Sequence, residues 1–148
     1  MSIITIKTVF SWLARVSLIA VLFINLNCAL SFLIHPEAYL SAYELTGAAG
    51  GVAALQGVAV AFIMWNTTYP LVIINPYRFR ALYAVVLAQQ AIGVIGESYI
   101  LFTLGTGHAA LVASLTRFII FDTAGLILMA TTFTTLLITH RQKHHADL

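Results

Sequence analysis

Charge is what this sequence has least of. Asp, Glu, Lys and Arg make up 8% of its 148 residues, against about 25% in a soluble domain. So few charges cannot cover a water-facing surface. A single cysteine, Cys28, excludes an internal disulfide framework and a cysteine-rich zinc site. The net charge of +2 is far below an electrostatic footprint for nucleic acid, and no such partner is expected. The chain has no glycine loop to cradle phosphate, no Ser-His-Asp arrangement and no paired histidines on a span to hold haem. No catalytic residue, metal or cofactor is therefore assigned. Disorder is excluded too, because 61% of the residues are hydrophobic.

What is present is apolar length. A membrane-crossing helix needs roughly 20 mostly apolar residues. Four stretches qualify, at about 10–34, 45–65, 81–104 and 111–139. His35-Pro36 closes the first, since proline disfavours helix in the residue before it. That first stretch is too long for a cleavable signal and is expected to be retained. The expected fold is all-α: one integral membrane four-helix bundle covering residues 1–148.

The basic residues orient it. Lys7, Arg15, Arg78, Arg80, Arg141 and Lys143 all fall on one side of a four-span layout; the seventh cation is Arg117. The positive-inside rule then predicts both termini in the cytoplasm of a multi-pass cell-membrane protein. Aromatic residues are expected at the interfaces: Trp12, Trp65, Tyr69, Tyr77 and Tyr83 inside, Tyr39, Tyr43 and Tyr99 outside. The stretch from Asn66 to Arg80, with Pro70 and Pro76, is expected to lie in the interface. Its Arg78 and Arg80 would face anionic headgroups.

Small residues mark the second span. Gly47, Gly50, Gly51, Ala54, Gly57 and Ala61 fall roughly along one side, with spacings of three and four such as Gly47–Gly51 and Gly51–Ala54. Such residues let helix backbones approach closely. The expected contact is a neighbouring helix of the same bundle, with a second copy or another membrane protein as the alternative partner.

The most informative residues are those that should avoid lipid: Asn25, Asn27, Gln56, Gln89, Gln90, Glu97, Arg117 and Asp122. A charge near a helix centre costs about 2.5–3.5 kcal/mol on insertion scales, so these groups should face the interior. At about 1.5 Å per residue, Asn25, Gln56, Glu97, Arg117 and Asp122 lie at about 9–16 Å from the outer helix ends. They can therefore meet in one outward-facing polar cluster, joined by Gln90. Gly93 and Gly125 would let the third and fourth spans close on each other. Arg117 and Asp122 stand about 140° apart around their helix, so Arg117 is expected to snorkel outward or to reach Glu97. The cluster is either a structural network or a site for a proton, a quinone headgroup or a small polar ligand. At the outer face His35 and His108 are candidates to pair with Glu37 or Glu44. In the C-terminal tail His140 and His144 stand four apart, as a weak metal pair in a basic tail facing lipid.

Three features resemble the DoxX-like group of small four-helix membrane proteins. They are the four-span layout, the glycine-rich entry Tyr43-Glu-Leu-Thr-Gly-Ala-Ala-Gly-Gly51, and the stretch Arg117-Phe-Ile-Ile-Phe-Asp122. The resemblance implies a membrane protein linked to redox or thiol-stress systems, and carries over no site residue. The function expected first is a non-catalytic accessory or scaffold component of a membrane complex. The alternatives are an outward-facing binder of quinone or another small ligand, and a small transporter.

Overall fold

The computed structural model describes residues 3–146, with side chains described from Thr8 to Ile138. Five helices account for most of it: α1 (Ile3–Ile34), α2 (Ala49–Asn66), α3 (Tyr69–Ile74), α4 (Arg80–Thr103) and α5 (Ala109–Ala146). No strand occurs among the described residues. Four segments are long and apolar enough to cross a membrane: Thr8–Ile34, Ala49–Ile74, Arg80–Thr103 and Ala109–Ile138. The lysine and histidine side chains of the tail, including His140 and His144, lie outside the described residues.

The helices form an antiparallel row rather than a closed square. α1 packs on α2 and on α5, and α4 packs on α5. α2 and α4 flank this row and have no extended contact with one another. Ser17 meets Thr132 and Phe32 meets Phe118, which fixes α1 and α5 head to tail. The start of α1 and the end of α5 therefore lie at one end of the bundle, and the connections 35–48 and 104–108 at the other.

Two apolar cores lie one above the other. Near the termini, Leu18, Val21, Tyr69, Val72, Tyr83, Met129 and Leu136 are fully or almost fully buried. Near the loops, Phe32, Leu55 and Ala59 form a second core ringed by Tyr39, Tyr43 and Phe118. Polar side chains occupy the level between them.

The segment after α2 departs from the expected surface loop. Thr67 and Thr68 break the helix, and Pro70 restarts it as α3, since proline suits a first turn. α3 wedges between α1 and α4, burying Tyr69 and Val72 completely while Leu71 and Ile74 stay exposed. The alternation of buried and exposed positions is that of a short amphipathic helix packed on two neighbours. Arg15 Nη2 donates to the carbonyl of Ile74 at 2.9 Å and caps its C-terminal end. Tyr69 and Tyr83, expected at the interface, are instead core residues with hydrogen-bonded hydroxyls. Tyr83 Oη lies 2.9 Å from Thr132 Oγ1, tying α4 to α5.

The loop-end connection also corrects the second span. Its helix starts at Ala49 rather than Leu45, so Gly47 precedes it. Glu44 takes the left-handed conformation (φ 53°, ψ 29°), and Ala48 is extended. The chain uses residues 44–48 to turn from its 3-10 turns at Pro36–Ala38 and Ser41–Tyr43 into α2.

The expected packing of the small residues fails for most of them. Gly50, Ala54, Gly57 and Ala61 are exposed, and nothing in the chain approaches Gly47, Gly50 or Gly57. α2 turns Leu55 and Ala59 into the core instead, packed with Phe32 of α1. Gly51 is tightly placed for another reason: a Cβ there would collide with the carbonyl oxygen of Thr46 in the preceding turn.

Candidate functional site

The site sits where α2 and α4 part. Asn25 of α1 and Asp122 of α5 form its floor, Phe62, Trp65 and Asn66 of α2 one wall, and Gln90, Gly93 and Glu97 of α4 the other. The enclosed space is about 30 Å³, room for a water or one polar group of a larger molecule.

Gln90 organises it. It is almost fully buried, and its Nε2 donates to Asp122 Oδ1 at 2.7 Å and more weakly to the Asp122 carbonyl at 3.4 Å. Its Oε1 accepts from Tyr69 Oη at 3.3 Å, so α3, α4 and α5 are joined through one amide. Gly93, one turn further on, leaves room for this approach. A Cβ there would lie 2.9 Å from Asp122 Oδ2 and 3.2 Å from the Trp65 ring. Gly125 does the same below, where a Cβ would meet Val21 and Gln90. Both glycines thus close the α4–α5 faces in the way their spacing implied.

The second wall is held by asparagines. Asn25 Nδ2 donates to Asn66 Oδ1 at 3.4 Å, and Asn66 Nδ2 donates to the Phe62 carbonyl at 2.7 Å. Asn66 is 4% exposed. Its side chain bonds back to the carbonyl one turn earlier in its own helix, which fixes the amide against the cleft.

Two buried polar atoms on this lining have no partner: Trp65 Nε1, a donor, and Glu97 Oε2, an acceptor. Buried polar groups are otherwise nearly always paired. One unused donor and one unused acceptor on facing walls describe a place for a hydroxyl or carbonyl oxygen.

The other expected members of the cluster lie elsewhere. Gln56 donates to the Leu33 carbonyl at 3.1 Å and caps the end of α1, well apart from the cleft. Arg117 does not pair with Glu97. Its Nε donates to the Ala113 carbonyl at 3.3 Å, and the ion pair formed among the described residues is His108–Glu44. The reason is angular. Asp122 and Gly125 turn toward α4, whereas Arg117 and Phe121, four apart, turn toward Ile24 and Cys28 of α1. There they line a separate space of about 350 Å³, roofed by Tyr39 and Tyr43. Asn25 borders both spaces.

The loop end carries its own polar clasp. His108 Nδ1 and Glu44 Oε2 are 2.6 Å apart, and Glu44 Oε1 accepts from the Leu111 backbone N–H in the first turn of α5. The His108 hydrogen bond, with help from that N–H, lowers the Glu44 pKa below the usual carboxylate range. Of His35 and His108, His108 thus takes an acidic partner. Burial raises the pKa of the Tyr43 hydroxyl in the same connection.

Sequence reasoning missed Trp65, Asn66 and Tyr69 as site residues. Trp65 and Asn66 end an apolar run and Tyr69 stands just before Pro70, where polar and aromatic groups read as interfacial. No group of three or more His, Cys, Asp or Glu side chains able to hold a metal exists among the described residues.

The fold and this cleft define an all-helical protein with four helices long and apolar enough to span a membrane, and a polar gap between two of them. Comparison with family models, curated proteins and solved structures finds no match to the chain.

Proposed function

We propose that this chain is a four-span membrane protein, both termini cytoplasmic, that binds the polar end of a small amphiphile in the cleft between α2 and α4. The observation that carries this reading is the unpartnered pair Trp65 Nε1 and Glu97 Oε2 on one lining. A carbonyl oxygen would accept from Trp65, and a hydroxyl would also donate to Glu97, so a quinone or quinol head suits both. The space admits a single polar group. The ring and tail of such a ligand therefore stay between α2 and α4, in contact with lipid. Gln90 holds Asp122 in place beneath it, and Gly93 lets Trp65 and Asp122 come close to α4.

Trp12 and Trp65 are the two tryptophans of the chain, so a Trp12→Phe variant makes fluorescence report on the cleft. Titration with a short-chain benzoquinone should quench Trp65 saturably. Glu97→Leu in that background should weaken the reduced, quinol form about tenfold, the worth of one hydrogen bond to a charged group. Quenching that never saturates, or an affinity indifferent to Glu97, would remove this reading.

One observation favours a second reading, that of an accessory or scaffold subunit. The side of α2 bearing Gly50, Ala54, Gly57 and Ala61 is exposed in the single chain, and small residues suit close helix contact in lipid. Gly57→Leu would then reduce chemical cross-linking to a second copy or another membrane protein without lowering the melting temperature of the isolated chain.

A further inference from the structure

The space beside Arg117 shares only Asn25 with the cleft and has a chemistry of its own. Its volume of about 350 Å³ falls in the usual range for small-molecule pockets, about 300–1,000 Å³. Phe32, Tyr39, Tyr43, Phe118, Phe121 and Cys28 give it a mostly apolar lining. The aromatic rings brace one another edge to face: Phe32 lies 4.9 Å from Tyr39 and 5.5 Å from Tyr43, centroid to centroid. Ser114 Oγ is committed to the Ala42 carbonyl at 2.7 Å, which pins the roof to α5.

Arg117 is the one charge on this lining. A guanidinium carries five N–H donors. Here the Nε group is spent on the Ala113 carbonyl, and no carboxylate lies within ion-pair distance among the described residues. A cation inside a membrane span is costly and ordinarily has a partner. The planar fork of arginine fits a carboxylate through two parallel hydrogen bonds. We propose that this pocket binds a compact organic anion, a single carboxylate on an apolar body, with the carboxylate on Arg117 and the body among the rings. The two chains of a phospholipid exceed the space, so the ligand is a free single-bodied acid rather than a bilayer lipid.

Cys28, the sole cysteine, lines the pocket and reports its occupancy. In phosphatidylcholine nanodiscs, alkylation of Cys28 by N-ethylmaleimide is followed by intact mass with and without sodium decanoate. Decanoate slows alkylation saturably; decanol at the same membrane concentration does not. Arg117→Gln weakens binding of ¹⁴C-decanoate about tenfold, as expected for loss of a charge-assisted contact, and Arg117→Lys restores part of it. Ile24→Trp, which fills the space from the α1 side, abolishes binding without touching the charge. This second variant decides the matter should Arg117→Gln fail to fold. Equal protection by decanol, or ¹⁴C-decanoate binding that is absent or indifferent to both variants, overturns the proposal. Slowed alkylation in phosphatidylglycerol discs with no acid added also overturns it, by assigning the pocket to a lipid.

Discussion

Gln90 shows how much of this protein rests on single polar side chains placed where lipid-soluble ones would be expected. Its amide satisfies a tyrosine on one side and an aspartate on the other. Replacing it leaves two buried groups without partners, and unpaired groups cost about 1–3 kcal/mol each. Gln90→Leu should therefore lower the melting temperature in detergent markedly, and Tyr69→Phe, which removes one bond and strands only an amide oxygen, should lower it less. An equal loss in the two variants would mean that the Asp122 bond contributes nothing. At the loop end, Glu44 sets a pH dependence. Its pKa is lowered in the fold by His108 and the Leu111 N–H. Its contribution is thus present above the ordinary carboxylate pKa of about 4.3 and is lost as pH falls through the lower folded value. Melting curves from pH 6 to pH 3 should show the wild type losing stability relative to Glu44→Gln at the acid end, with the two converging there.

Among the helices, what could be read in the sequence was what depends on one helix alone. Four apolar runs gave four apolar helices because run length is a local property, and Gly93 and Gly125 were legible because they lie on the same faces as Gln90 and Asp122. What depends on two helices was not legible. Arg117 and Glu97 sit at suitable depths, yet the roll of α5 against α1 separates them. The small residues of α2 looked like a packing face, yet Leu55 and Ala59 took the contact and left Gly57 in the open. Asn66 and Trp65 were hidden by position, because α3 folds back over a segment that reads as a loop. The difference between Gly51 and Gly57 follows. Gly51→Ala pushes a Cβ into the Thr46 carbonyl and should destabilise by about 1–3 kcal/mol, as overpacking does. Gly57→Ala meets nothing and should stabilise the isolated chain by about 0.5–1 kcal/mol through helix propensity. Thermal unfolding of the two variants side by side distinguishes a turn constraint from a helix-packing one.

For the molecule as a whole, the layout makes one topological commitment. The start of α1 and the end of α5 lie together, and six of the seven lysines and arginines fall toward that end along the sequence. A cysteine introduced as Ala146→Cys in a Cys28→Ser background should resist membrane-impermeant maleimide in intact cells and react once the cells are opened. Labelling of intact cells would reverse the orientation and place the Arg117 pocket inside. The two apolar cores do not depend on that outcome, since each is closed by helices from the same row.

The sideways gap between α2 and α4 has a consequence for how any ligand is counted. With the four helices spanning a bilayer as proposed, a molecule reaching that gap arrives by lateral diffusion in the membrane, so the concentration that matters is its mole fraction among lipids. Affinity measured against the aqueous concentration then contains the partition coefficient as a factor. Each added methylene on a tail that stays in lipid contributes about 0.8 kcal/mol to partitioning, or roughly fourfold in apparent potency. The dissociation rate from the cleft should stay constant along such a series, and affinities restated per lipid should collapse onto a single value.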